Sequence, residues 1–371
     1  MSKTLASIVG GTAGAVVLAG MIIVLIWFYL CHYRSVSSET GSSDPSQVRK
    51  IELPLQDTRC FEMEELSLAT KEFSERNLIG DGKFGEVYRG LLQDGVLVAI
   101  KRRHALPSKE FVDEVRYLSS IHHRNVVTLL GYCQENNLQF LIYEYVPNGS
   151  VASHLYGVGQ QPHEKLQFKL RLSIALGAAK GLAHLHCLSP HLIHKNFKTA
   201  NVLVDENFIA KVADAGLHNI FGKDEIPGPS SQVVSEEIFL APEVKEFRQY
   251  SEKSDVYSFG VFLLELLSGK EATESQPSDS YQNLVELVQS NGNMFNIIDQ
   301  RLGKSFTAEG VKDFMQLIVQ CINLSSEKRL SMSFVVIELD QILEKEMKLT
   351  TSMGEGTPTV TLGSQLFKTT R

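Results

Sequence analysis

Cysteine is scarce in this chain: five residues (Cys31, Cys60, Cys133, Cys187 and Cys321) in 371, an odd number, scattered and without metal-ligand spacing. That excludes a disulfide scaffold or a zinc cage as the organising device and fits thiols kept reduced. Basic charge is not in surplus either, since 36 Lys and Arg face 43 Asp and Glu for a net charge of -7. A chain without an overall positive field is not built around a phosphate backbone, so no nucleic-acid partner is expected. No internal repeat is visible, which excludes solenoids and propellers. With 43% hydrophobic and 21% charged residues, there is material for one apolar run plus one large globular unit.

Ionisable side chains are also missing from Leu5 to Tyr33, His32 excepted, and Val16 to Leu30 is almost purely aliphatic and aromatic. Such a run can cross a hydrocarbon core of about 30 Å as a helix. A transmembrane helix is therefore expected at 7–31, in preference to a cleaved signal peptide, whose apolar region spans only about 7 to 15 residues. Lys3 stands alone on the amino side, whereas Arg34, Arg49 and Lys50 follow the run, which orients the carboxyl-terminal body to the cytosol. The expectation is a single-pass plasma-membrane protein whose extracellular part, 1–6, is too short to recognise a ligand. Gly10 and Gly14 have the small-xxx-small spacing that lets a partner helix approach, although glycine is common in membrane helices for other reasons. Cys31, at the cytosolic boundary, is placed for S-acylation. Ser35 to Ser46 is rich in Ser, Thr, Gly, Asp and Glu and buries too little to order itself, so 32–72 is expected to be a juxtamembrane linker. A short helix at Glu64–Thr70 lies near its end.

From there the pattern changes. Apolar alternation around Gly80, Gly82 and Gly85 predicts a hairpin whose bare backbone can approach phosphate groups. Val98-Ala99-Ile100-Lys101 predicts a buried strand ending in a lysine. Phe111, Val115, Leu118 and Ile121 recur at helical spacing through Glu110–Ile121, with Glu114 next to the apolar face. His122 and His123 are read as helix-end residues, because no cysteine or carboxylate cluster completes a metal site. Strands are expected at Val126–Leu130 and from Phe140 to the break at Pro147, and a long core helix at Leu166–Cys187.

The stretch Leu192-Ile193-His194-Lys195-Asn196-Phe197-Lys198-Thr199-Ala200-Asn201 resembles the catalytic loop of the eukaryotic protein kinases, and Asp214-Ala215-Gly216 and Ala241-Pro242-Glu243 resemble two later motifs of that family. Tyr145-Val146-Pro147-Asn148-Gly149-Ser150 is most similar to the plant receptor-like kinases of serine/threonine type. The resemblance covers about Phe73 to Lys345. It implies an α+β, bilobal kinase fold, with a β-rich small lobe at 73–146 and a mainly α large lobe at 147–345, leaving 346–371 as a tail. It also implies ATP and Mg²⁺ as cofactors. ATP would be enclosed by Ile79, Gly80, Gly82, Gly85, Val87, Ala99 and Leu203, with Tyr143 as gatekeeper and Glu144 and Tyr145 as hinge. Lys101 would contact phosphate and pair with Glu114, Lys198 would contact the transferred phosphate, and Asn201 and Asp214 would ligate the metal. Asp255 would cap the catalytic loop and Arg329 would pair with Glu243.

The departures from the family pattern cluster on the acceptor side. Asn196 stands where the family carries the aspartate that accepts the substrate proton. Lys195 replaces an arginine, Ala215 a phenylalanine, Glu236 a threonine and Ile238 a glycine, while Leu330 replaces a proline after Arg329. Truncating a buried phenylalanine costs about 3 to 5 kcal/mol unless neighbours refill the space, so altered coupling of the Glu114 helix is expected. Two readings follow. One is an ATP-binding but inactive or impaired homologue, a pseudokinase acting as adaptor for other receptor-like kinases or cytosolic signalling proteins; the alternative is a slow serine/threonine kinase. A domain that no longer binds nucleotide is a third reading, which Ala215 keeps open.

Overall fold

The computed structural model describes residues 58–352 except 83, 157–165, 221–236, 272–296 and 304. The expected membrane helix with Gly10 and Gly14, the linker before 58, Glu236, and the chain beyond 352 lie outside the described residues. Among the described residues no helix is long and apolar enough to cross a membrane.

The small lobe is a six-stranded sheet built from β1 (Arg59–Cys60), β2 (Leu78–Gly82), β3 (Gly85–Leu91), β4 (Leu97–His104), β5 (Leu129–Glu135) and β6 (Leu138–Glu144), in the order β1-β5-β6-β4-β3-β2. The strands pair antiparallel except β1, which runs parallel to β5. The period of two divides each central strand between two cores. Val98, Ile100, Phe140 and Ile142 face one core with Phe61 and Leu66, whereas Leu141 and Tyr143 face the larger core. Helix α1 (Met63–Thr70) supplies Leu66 and Ala69 to the first core. Helix α2 (Lys109–Ser119) starts at Ser108, whose side chain accepts from the Phe111 N–H at 3.1 Å, and buries Phe111, Val115 and Leu118 along one face.

The large lobe is helical: α3 (Val151–Tyr156), α4 (Phe168–His186), the strand pair β7 (Val202–Val204) and β8 (Ala210–Val212), α5 (Leu217–Ile220), α6 (Pro242–Phe247), α7 (Glu252–Ser268), α8 (Ala308–Cys321) and α9 (Met332–Ser352). Every residue of α7 from Ser254 to Ser268 is buried, which makes it the lobe's central post. A Ser251–Ser254 capping box starts it, and Gly269 at φ 63 ends it, where a side chain would run into the Asp299 carboxylate.

Three sequence expectations are corrected. From Thr58 to Glu72 the expected linker is folded onto the small lobe: the short helix expected at Glu64–Thr70 is present as α1, but β1 also adds to the sheet edge, and Phe61 is 2% exposed. Val126–Leu130 is not one strand; β5 starts at Leu129, while Val126 bridges Val212 and the Val127 N–H donates to the Val212 carbonyl at 2.9 Å, so the valines join the two lobes. The expected tail from 346 continues as α9 to Ser352, and Glu346 is fully buried because its carboxylate accepts from the Thr307 N–H at 2.8 Å and the Thr307 hydroxyl at 2.5 Å. Thr307 caps α8, so Glu346 locks the start of that helix to the end of the next.

Candidate active site

Pairing register assembles the adenine-side residues. In β3, β4 and β6, Val87 lies opposite Lys101 and Ala99 opposite Tyr143, so the four share the face turned to the cleft between the lobes. Ser150, just past the hinge, bridges to Leu203, which brings β7 beneath them. Leu203, Val87 and Ala99 are half-buried, Tyr143 is buried, and Ile79 is exposed at the rim. Burial, with the Asp214 carboxylate nearby, pushes the Tyr143 hydroxyl well above the ordinary phenol range, so it stays protonated. Of the glycines, Gly82 has open space where a side chain would stand, whereas Gly85, at φ +115, has its α-carbon packed on the Arg102 carbonyl and serves the hairpin.

The hinge has an anchor that the motifs did not reveal. The Glu144 carboxylate accepts from Lys211 Nζ at 2.9 and 3.1 Å and from the Thr128 N–H at 2.8 Å. Lys211 lies on β8, just before Asp214, so one ion pair ties the hinge to the metal-binding turn. The Glu144 N–H itself donates to the Thr128 carbonyl at 3.0 Å, so this hinge donor is already engaged.

The catalytic loop is held from below. The Asp255 carboxylate accepts from the His194 N–H at 2.8 Å, the Lys195 N–H at 2.9 Å and His186 Nε2 at 2.9 Å, as expected for its capping role. Those bonds hold Lys195 at φ 64, an uncommon conformation for a residue with a side chain. His194 is fully buried, which lowers its pKa and keeps the ring neutral. Its Nε2–H donates to the Ala213 carbonyl at 2.8 Å, which leaves Nδ1 to accept from the Asn196 N–H at 3.4 Å. Asn201 Nδ2 donates to the Asn196 carbonyl at 2.9 Å, and the Ala213 N–H donates to the Asn201 carbonyl at 2.8 Å. The loop that carries Asn196 and Lys198 and the turn that carries Asp214 are thus stitched into one frame. Arg329 donates to both Glu243 oxygens, at 2.6 and 2.9 Å, with its side chain fully buried.

The expected Lys101–Glu114 pair is absent from the described residues, and its absence is the main correction to the sequence reading of the site. Lys101 Nζ donates to the Asp214 carboxylate. Glu114 accepts from Asn219 Nδ2 at 3.1 Å, on α5. The physical reason lies at Ala215 and Gly216. Leu118 of α2 packs so closely on Gly216 that a side chain at 216 would collide with it, and only about 20 Å³ remains open among Leu118, Ile121, Val126, Val127, Leu129, Tyr143, Asp214 and Ala215. Helix α2 has refilled the space beside Ala215, and its carboxylate reaches α5 instead of β4.

Asparagine and aspartate oxygens beside a lysine are a donor set suited to Mg²⁺ and phosphate, and Lys101 already supplies a cation to Asp214. The residues therefore fit Mg-ATP: Asn201 and Asp214 would hold the metal, Lys101 and the open backbone at Gly82 the phosphates, and the hinge backbone at Glu144 and Tyr145 the base. A profile of the protein tyrosine and serine/threonine kinase family matches residues 73–339. The chain belongs to this kinase family. Within it, the chain is 39% identical over 310 residues to a probable leucine-rich repeat receptor-like protein kinase of Arabidopsis thaliana, covering 78% of this chain and 31% of that one. It is 35% identical over 330 residues to the probable serine/threonine-protein kinase PBL28 of Arabidopsis thaliana, covering 85% and 86% of the two chains. Receptor-like cytoplasmic kinase 176 of Oryza sativa subsp. japonica is 35% identical over 338 residues, covering 85% and 84%. The chain thus spans about a third of the first relative and most of the other two. Among solved structures, the pseudokinase domain of BIR2, an immune regulator of the RLK/Pelle family, matches with a TM-score of 0.64 at 30% identity, covering 78% of this chain and 90% of that one. Kinase domains of this fold generally bind ATP and Mg²⁺, and the relatives place this one among the plant receptor-like and receptor-like cytoplasmic kinases.

Sequence reasoning missed Arg103, Lys211 and Asn219. Arg103 had a signal, since a residue two beyond Lys101 on a strand shares its face. The other two act through contacts between distant elements and had none.

Proposed function

We propose that this kinase-family chain is a membrane-tethered pseudokinase: it binds Mg-ATP, transfers phosphate poorly or not at all, and serves as an adaptor for active receptor kinases at the plasma membrane. Asn196 carries the proposal. It sits on a catalytic loop pinned by Asp255 and stitched to Asn201, yet its side chain is an amide, which takes up no proton near neutral pH. The Lys101–Asp214 pair and Ala215 support the same reading, and the likeness to the BIR2 pseudokinase domain supports the adaptor role. Mg-ATP, when bound, supplies the phosphoryl group and the charge neutralisation. The chain supplies Lys101, Lys198, Asn201 and Asp214 to orient it, and Tyr143 and Leu203 to exclude water from the base.

The intact Lys198, Asn201 and Asp214 favour the second reading, a slow serine/threonine kinase, because phosphoryl transfer rests mainly on positioning and charge. Mg-dependent transfer of γ-phosphate by the full chain, compared with Asp214→Ala, decides between them. Transfer above the control refutes the pseudokinase reading. If the missing base is the only defect, Asn196→Asp raises transfer by about 10²- to 10⁴-fold.

A further inference from the structure

In a chain of net charge -7, basic side chains gather where the turn from His123 to Val126 meets α4. The rings of His123 and His184 stack, with centroids 4.6 Å apart and planes 13° from parallel. Arg124 follows His123 on the turn, and Lys180 stands one helical turn before His184, so two exposed cations border two half-buried rings. Among the described residues no hydrogen bond or ion pair engages the side chain of either cation. Lys211 of β8 also acts on His123, but Glu144 neutralises it.

Backbone packing sets this arrangement. Gly181, between Lys180 and His184, lies against the turn: a side chain there would collide with the Asn125 carbonyl and with Val212. Asn125 Nδ2 donates to the Ala210 carbonyl at 2.8 Å, and the Asn125 carbonyl accepts from the Val212 N–H at 2.8 Å. His123 Nδ1 accepts from the Asn125 N–H at 3.2 Å, which puts the ring proton on Nε2 as a donor. Groups of one sign held together in this way repel one another, and burial with these neighbours lowers the His123 pKa.

We propose that His123, Arg124, Lys180 and His184 form a binding site for a phosphate group of the phosphomonoester class. The dianion supplies the charge that the cluster lacks and accepts charge-assisted bonds from the guanidinium and the ammonium, with His123 Nε2–H as a further donor. Half-buried rings behind exposed cations suit a small projecting group rather than a flat bilayer. The site is separate from the nucleotide cleft and does not depend on the proposed ATP binding. An anion favours the imidazolium form, so the rings contribute more to affinity as pH falls. Facing them are Arg124 on the turn, Lys180 on α4, and Lys211 on β8 with its partner Glu144.

The test titrates inorganic phosphate into the full chain in detergent, at ionic strength held constant with chloride. The readout is the ¹³C-histidine resonances of His123 and His184, assigned with His123→Gln and His184→Gln, which excludes phosphate bound at Lys101. Both resonances are expected to move saturably. Affinity should fall about 2- to 5-fold in each of Arg124→Gln and Lys180→Gln, and by the product of the two in the double variant. The ratio of wild-type to His184→Gln affinity, in which the protonation of phosphate itself cancels, should grow from pH 7.5 to 6.0. Resonances that stay in place, or move with equal affinity in the Arg124→Gln, Lys180→Gln double variant, overturn the site. A constant ratio overturns the part played by the rings. Movement with phosphatidylserine vesicles but not with inorganic phosphate refutes the phosphomonoester site and assigns the patch to a membrane surface.

Discussion

Restoring the family's phenylalanine at position 215 should destabilise this protein. The sequence reading expects a cost of about 3 to 5 kcal/mol at Ala215 unless neighbours refill the space. The structure leaves only about 20 Å³ there, since Leu118 packs on Gly216. At about 24 cal/mol per Å³, that residual space costs about 0.5 kcal/mol, far below the cost of an unrelaxed phenylalanine truncation. A cavity that accepts a benzene-sized ring is about 150 Å³, so the ring of Ala215→Phe must displace Leu118 or Tyr143. Overpacking of this kind costs about 1 to 3 kcal/mol. The assay is the urea midpoint at unchanged m value, which should fall. Combining Ala215→Phe with Leu118→Ala returns space to the ring, and the pair should be more stable than the sum of the single effects by about 0.5 to 3 kcal/mol. A midpoint that rises in Ala215→Phe alone would refute the refilling by α2, and with it the reason given for Glu114 leaving Lys101.

Two further predictions concern stability. Glu346→Ala leaves the Thr307 N–H and hydroxyl without their buried acceptor and should cost about 1 to 3 kcal/mol, read as a lower melting temperature; no change would return 346 to the tail. His194 and His123 both have pKa values lowered by burial from 6.5. The unfolded chain therefore binds protons that the folded one refuses, so their contribution is fully present above pH 6.5 and is lost as pH falls towards the folded values. Melting temperature should drop between pH 7.5 and 5.5, with a shallower drop in His123→Gln; identical slopes would remove His123 from the account.

Much of the fold was legible because its signals are local. Phe111, Val115 and Leu118 at helical spacing mark α2, continuous apolar runs mark β4 and β6, and Phe259–Leu267, apolar but for Glu265, lies in α7. The parts misread depend on distant partners. Thr58–Glu72 is polar enough to pass for a linker until Phe61 finds its place beside Phe140, and Glu346 passes for tail until Thr307 is brought to it.

By itself the sequence determined the kinase fold, the chemistry available at each position, and the absence of a proton acceptor at Asn196, because those follow from residue type and spacing along one chain. Tertiary structure alone decided which carboxylate meets Lys101. Asp214 and Glu114 are equally charged and both within reach of that region by topology. The choice between them turns on how far α2 closes over Ala215 and Gly216 and on the amide of Asn219, a matter of packing between elements distant in sequence.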